Sequence, residues 1–201
     1  MDITFELAST EEMHLYWYLK EIQEAGFIHH LKYQPKPFFI HDAYSIEWKD
    51  FTPAKTKKKT YRKNLLLKEQ YTADFYFRWD PKIFGILFMS WNKPDILDNR
   101  FKTIPFISNY NTERDYHFSI IDVKGSYNQN DAYRRFSKDQ KNVFYRYNIY
   151  VQKIIPKDLF KQTFIPSRYL FCDKETKRTR KINFEIMLMK QYLKKHNYEI
   201  I

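Results

Sequence analysis

Two short stretches carry side chains whose types and spacing could do chemistry. In HFSIIDVKGSY, residues 117–127, an apolar run ends on Asp122 and Lys124, one residue apart, before Gly125. In YTADFYFRW, residues 71–79, Asp74 precedes an alternating Phe75 and Phe77. Side chains alternate across a strand, so Asp122 and Lys124 share a face and Val123 takes the other. If the two strands pair, Asp74 and Asp122 approach one another. Two close carboxylates repel unless a cation lies between them, and oxygen ligands suit Mg²⁺ or Mn²⁺. A lysine beside such a metal can stabilise an attacking hydroxide and a crowded phosphate. The chemistry to expect is metal-dependent phosphodiester hydrolysis. A lone D-x-K is also an ordinary strand end with a surface ion pair, so the combination and its order carry the expectation.

The elements around these residues must bring them together. STEEMHLYWYLKEIQEAG predicts a helix, with Ser9 as N-cap, Glu12 completing a capping box and Gly26 at the C-terminal end. Residues 27–48 read as strand, broken near Pro35 and Pro37. Residues 50–69 read as a solvated basic loop with Lys55, Lys57, Lys58, Lys59, Arg62 and Lys63. Residues 80–115 read as an insertion or hairpin covering one sheet edge. A helix is expected from about Asn130, then a strand stopped by Pro156. Strand, helix and strand over 117–154 predict a right-handed parallel crossover. The tail offers a short element at PSRYLFCD, a basic turn at 174–181 and a final helix over NFEIMLMKQYLKKH.

Composition bounds the function. The chain has 201 residues, 43% hydrophobic and 29% charged, enough for one domain with a core. With three glycines and no GxGxxG or GxxxxGK[ST], dinucleotide and P-loop chemistry are excluded. A formal charge of +11 favours an anionic partner, foremost nucleic acid. The single cysteine, Cys172, forms no intrachain disulfide and belongs to no zinc spacing, which predicts a reduced, cytoplasmic setting. No long apolar run predicts a membrane span. His29 and His30 are adjacent, make a poor metal pair and read as structural.

Taken in order, these motifs resemble the PD-(D/E)xK nuclease superfamily, and within it small phage-type endonucleases akin to Holliday-junction resolvases. The likeness runs through Ser9 to Glu12, Gly26 to Ile28, Gln34-Pro35, Tyr71 to Phe75 and Asp122 to Gly125. It covers about residues 9–40, 70–80 and 117–155. Ala73 stands where the family usually has proline, and the separation of Asp74 from Asp122 is long. The resemblance implies a restriction-endonuclease-like α/β fold, a mixed central sheet flanked by helices. Residues 1–156 would be the nuclease core and 157–201 a C-terminal extension packed on it. It implies Asp74 and Asp122 as metal ligands, with the Val123 carbonyl, and Lys124 as catalytic lysine. Glu12, or its neighbour Glu11, would be the helical acid. Lys141 would be a basic residue of the following helix aimed at the phosphate, and Gln34 an accessory contact.

DNA, duplex or branched, is the expected partner. The candidate phosphate contacts are Lys57, Lys58, Lys59, Arg62 and Lys63, with Lys177, Arg178 and Arg180 in the tail. Arg134 and Lys138 share a helical stripe with Lys141, opposite Phe136, Val143 and Tyr147. No sequence-reading module is visible, which favours structure-directed cutting in phage or mobile-element recombination, repair or genome processing. Symmetric junction cutting would require a homodimer. The rival expectation is a non-catalytic DNA-binding or assembly protein that keeps the fold, and a third is an RNA-directed nuclease.

Overall fold

The computed structural model describes residues 7–49, 60–92, 104–126, 130–171 and 182–198. The first helix, α1, spans Thr10–Glu24. Ser9 is extended and its Oγ accepts the Glu12 N–H at 3.1 Å, satisfying one orphan donor of the first turn. At the other end Gly26 takes φ 77°, and the N–H groups of Gly26 and Phe27 return to the carbonyls of Gln23 and Ile22. That left-handed turn is cheap only for glycine. Leu15, Tyr18, Leu19 and Ile22 form the buried stripe.

The strands that follow are β1 (Ile28–Tyr33), β2 (Phe38–His41), β3 (Tyr44–Lys49), β4 (Thr60–Leu66), β5 (Glu69–Tyr71) and β6 (Phe75–Trp79). After them come β7 (Phe88–Ser90), β8 (Phe106–Asn111), β9 (Tyr116–Val123), helix α2 (Asn130–Tyr147) and β10 (Val151–Ile154). The chain closes with short helices α3 (Pro156–Gln162), α4 (Ser167–Phe171) and α5 (Met189–Lys195). The main sheet runs β1-β6-β9-β8-β7, with β10 also against β9. β6 is antiparallel to β1 and β9, whereas β10 is parallel to β9, as the crossover through α2 requires. The protein is thus mixed α/β, with a mixed sheet between two helical faces.

Residue alternation on β9 builds both faces. Ile121 and Val123 join Leu15, Tyr18, Phe75 and Phe77 in a core under α1, α3, α4 and α5. Phe118 and Ile120 join Ile40, Tyr71, Phe136 and Val143 under α2. Phe77 is fully buried, so truncating it to alanine would cost about 3–5 kcal/mol. The described residues of the tail join the core under α1: Tyr18 stacks on Phe164 at 4.3 Å, and its hydroxyl pairs with Thr163 at 3.1 Å.

One side of β9 has two successive neighbours. Its first half pairs β8 (Asn109 opposite Phe118) and its second half pairs β10 (Val151 opposite Ile120). Two side-chain amides close the fork where β8 gives way to β10. Asn109 accepts the Tyr150 N–H at 2.7 Å and donates to the Tyr150 carbonyl at 2.9 Å. Gln152 accepts the Ile107 N–H and donates to the Pro105 carbonyl, both at 2.8 Å. Each amide imitates a peptide unit and keeps the ladder satisfied where the backbones diverge.

Several expectations need correction. The basic loop over 50–69 is partly strand: β4 pairs β3 in an exposed ribbon, while Lys57, Lys58 and Lys59 lie outside the described residues. Over 80–115, β7 and β8 run parallel and extend the sheet, so they are not a hairpin. Pro156 ends β10 but also opens α3 at its first turn, where its missing N–H costs nothing. The final helix starts only at Met189, because Leu188 is extended and the Met187 carbonyl accepts from Ile165 at 2.9 Å. Among the described residues no helix is long and apolar enough to cross a membrane.

Candidate active site

The pleat of β9 sends Asp122 to the α2 face, where it is 5% exposed. The Tyr71 hydroxyl, on β5, donates to its Oδ2 at 2.7 Å. The Lys124 ammonium lies against Oδ1 as an ion pair. Lys124 also sits over the Phe136 ring of α2, 5.6 Å from its centre.

Asp74 lies one residue ahead of β6 and continues its ladder. Its N–H donates to the Ile121 carbonyl at 2.9 Å, and its carbonyl accepts from the Gln34 N–H at 2.8 Å. Its Oδ2 accepts the Val123 N–H at 2.6 Å. The two aspartates are thus locked to one strand end, Asp74 through the peptide that follows Asp122. Burial pushes the Asp74 carboxyl up to about 7. The charges of Asp122 and Glu12 push the same way, while the Val123 N–H and Lys124 oppose.

Glu12 reaches this end of the sheet from the first turn of α1 and is 9% exposed. The Tyr33 hydroxyl donates to its Oε2 at 2.7 Å, and Ser9 Oγ to Oε1 at 3.1 Å. Its charge acts on Asp74. Glu11 lies beside Gly125, its Oε1 3.6 Å from where a Cβ there would stand, whereas the charge of Glu12 is the one that acts on Asp74. Gln34, at φ 44°, gives its side-chain amide to the Tyr33 hydroxyl at 3.2 Å, behind Glu12.

Sequence reasoning missed two residues. Tyr71 belongs to the Y-x-x-D-F motif, but the motif alone assigns it no role. Asp139 of α2 is 9% exposed, and burial raises its carboxyl pKa, with the charges of Glu69 and Asp122 contributing. The signal is in the spacing: three residues from Phe136 and four from Val143, Asp139 falls on the buried stripe.

Other expected residues are not brought to this point. Lys141 is exposed, on the face of α2 turned away from Phe136 and Val143, so it does not reach the carboxylates. Lys138 is bound to Glu69 at 2.8 Å, and Arg134 is exposed at the start of α2. Arg62 and Lys63 are exposed on β4, with Arg62 Nε 3.9 Å from Glu47. Lys177, Arg178 and Arg180 lie outside the described residues. His29 is an exposed neighbour of Asp80, 3.7 Å away.

Among the described residues, no three His, Cys, Asp or Glu side chains are gathered closely enough to hold a metal ion by themselves. The donors at the β9 end nonetheless fit a hard divalent cation. Such an ion is commonly held by one or two carboxylates, with water and phosphate oxygens completing the shell. Oδ1 of Asp122, buried and already facing the Lys124 ammonium, is the oxygen a metal cation would take. No family model, no curated protein and no solved structure matches the chain.

Proposed function

We propose that this protein is a Mg²⁺- or Mn²⁺-dependent DNA endonuclease with a restriction-endonuclease-like core. The observation that carries the reading is the junction of β6 and β9. There Asp74 and Asp122 are tied through the Val123 N–H, and a buried Asp122 oxygen already holds a cation, the Lys124 ammonium. Asp74, Asp122 and the Val123 carbonyl would hold the metal, with Glu12 in reach of its water. Bound there, the ion supplies Lewis acidity toward a phosphate oxygen and lowers the pKa of water.

The chain's own residues do the rest. Lys124 leaves Asp122 for the attacking water or a non-bridging oxygen and compensates the charge that develops on phosphorus. Water's oxygen would form the new bond to phosphorus in line, giving up a proton to solvent, as the bond to the departing sugar oxygen breaks and that oxygen takes a proton from solvent. Glu12, fixed by Tyr33 and Ser9, orients water from the α1 side. Tyr71 keeps Asp122 turned so that Oδ1 faces the reaction.

The same Lys124–Asp122 contact also suits a second reading, a closed and non-catalytic site in a DNA-binding or assembly protein. Nicking of plasmid and branched DNA with Mg²⁺, and with EDTA, separates the two. The expected result is Mg²⁺-dependent nicking that Asp122→Ala and Lys124→Ala reduce by at least about a hundredfold, the scale of lost transition-state contacts. Cutting by Asp122→Ala at the wild-type rate would place the chemistry elsewhere. Tight DNA binding with no cutting by wild type would leave the second reading standing. RNA offered in place of DNA tests the substrate, and sedimentation of the DNA complex tests the homodimer that symmetric junction cutting needs.

A further inference from the structure

Beside the carboxylates the surface opens into a pocket of about 530 Å³ between α1 and β1. It exists because β1, the last strand of the sheet on that side, does not stay regular. His30 sits at φ 55°, and the register against β6 shifts between His29 and Lys32. Gln34, at φ 44° before Pro35, then ends the strand. The opening is lined by Tyr16, Lys20, Lys32, Tyr33, Gln34 and Lys36, and no carboxylate is among its lining residues.

Three features fix what it would hold. The first is continuity: Tyr33 lines the pocket and its hydroxyl holds Glu12, while the Gln34 N–H holds the Asp74 carbonyl. The second is charge. Lys32 and Lys36 are exposed, and Lys20 is steadied by Gln23 at 3.0 Å, so three cations face an acid-free cavity. The third is shape. Tyr16 and Tyr33 both pack against Phe75, with ring centres 6.4 and 5.5 Å away, and give the pocket two aromatic walls on a rigid floor. The volume matches a single small ligand. It excludes a duplex, whose major groove alone is about 12 Å wide. Aromatic walls with cations at the rim suit an unpaired base and its phosphate.

We infer that this pocket seats an unpaired nucleotide of the DNA strand adjacent to the scissile phosphate, so that the enzyme acts where strands part. This rests on the endonuclease reading and narrows it to branched or flapped DNA.

The test has two arms. In EDTA, fluorescence anisotropy follows a short labelled single-stranded oligonucleotide with wild type, Lys32→Glu/Lys36→Glu and Tyr16→Leu. The charge-reversed protein is expected to bind roughly tenfold more weakly or worse, with a smaller loss for Tyr16→Leu. Thermal melts show whether each variant is folded, and the two exposed lysines keep the test open if Tyr16→Leu is not. In Mg²⁺, wild type is expected to cut a flap faster than a fully paired duplex, and charge reversal to narrow that gap.

Oligonucleotide binding equal to wild type in the folded charge-reversed variant overturns the inference, even if Asp122→Ala abolishes cutting. Lysine-dependent binding of an acidic peptide with no oligonucleotide binding also overturns it, because the pocket then serves a protein. Lysine-dependent oligonucleotide binding without any cutting upholds the pocket and sinks the nuclease reading instead.

Discussion

Asp74 sits in an environment that opposes its ordinary charge. In the folded, metal-free chain its carboxyl keeps a proton up to about pH 7, whereas unfolding returns it to the usual aspartate range near 4. Across that window the folded state binds more protons than the unfolded one. The stability tied to this group is complete below about pH 4 and is lost as pH rises through 7, at roughly 1.4 kcal/mol for each pH unit crossed. Asp74→Asn keeps an acceptor for the Val123 N–H and removes the titration. In EDTA the variant is therefore expected to melt above wild type at pH 8 and level with it near pH 4. Adding Mg²⁺ at pH 8 should raise the wild-type melting temperature and leave the variant nearly unmoved. Equal pH profiles for the two proteins would show that Asp74 is not buried among negative charges. Asp74, Asp122 and Lys124 were legible in sequence because alternation on a strand is a strict rule. Tyr71 was not, since its reach to Asp122 depends on how a separate hairpin docks.

Among the elements, the amide seam between β8 and β10 offers the sharpest test of how the site is supported. Asn109→Ala would orphan both polar groups of Tyr150, and Gln152→Ala those at Ile107 and Pro105. Each is expected to cost about 1–3 kcal/mol for the groups left unmet. Chemical denaturation of the two single variants and the double variant measures this. A loss below about 0.5 kcal/mol in both singles would mean that water replaces the amides freely. The helices α1 and α2 and the parallel crossover could be read from caps and periodicity. The path of residues 80–115 could not, because β7 and β8 are short strands whose pairing is parallel and non-local. Lys141 lies on the exposed stripe opposite Phe136 and Val143, where spacing also put it, and so away from the carboxylates.

For the whole molecule, the charge of +11 favours an anionic partner, which under the proposed endonuclease function is DNA. The hairpin that includes Tyr71 has two parts. Its root, β2 and β5, is packed on α2, with Tyr147 donating to the Phe39 carbonyl at 2.6 Å and Lys138 pairing with Glu69. Its outer part, β3 and β4, is an exposed ribbon. One face carries Ile46, Trp48, Tyr61 and Lys63, with Trp48 stacked on Tyr61 at 5.7 Å. The other face is polar and carries Arg62. A ribbon of this kind fits a major groove. DNA affinity is therefore expected to fall steeply with salt, and Arg62→Ala/Lys63→Ala to reduce the slope of log K against log salt by about 2. An unchanged slope would remove the ribbon from the interface.

The two aspartates differ in what holds them, and so in how freely each can be altered. Asp74 is held by a peptide N–H that every residue type except proline supplies at position 123. Asp122 is held by the phenol of Tyr71, on a hairpin root packed against Phe118 and Ile120 of β9, and by the Lys124 ammonium. No single side-chain substitution at 123 short of proline releases the first acid, whereas one lost hydroxyl removes one of the two side-chain partners of the second. Variation in this protein therefore has one adjustable acid and one fixed one. Asp122 can be retuned by the arm, while the setting of Asp74 is written into the sheet.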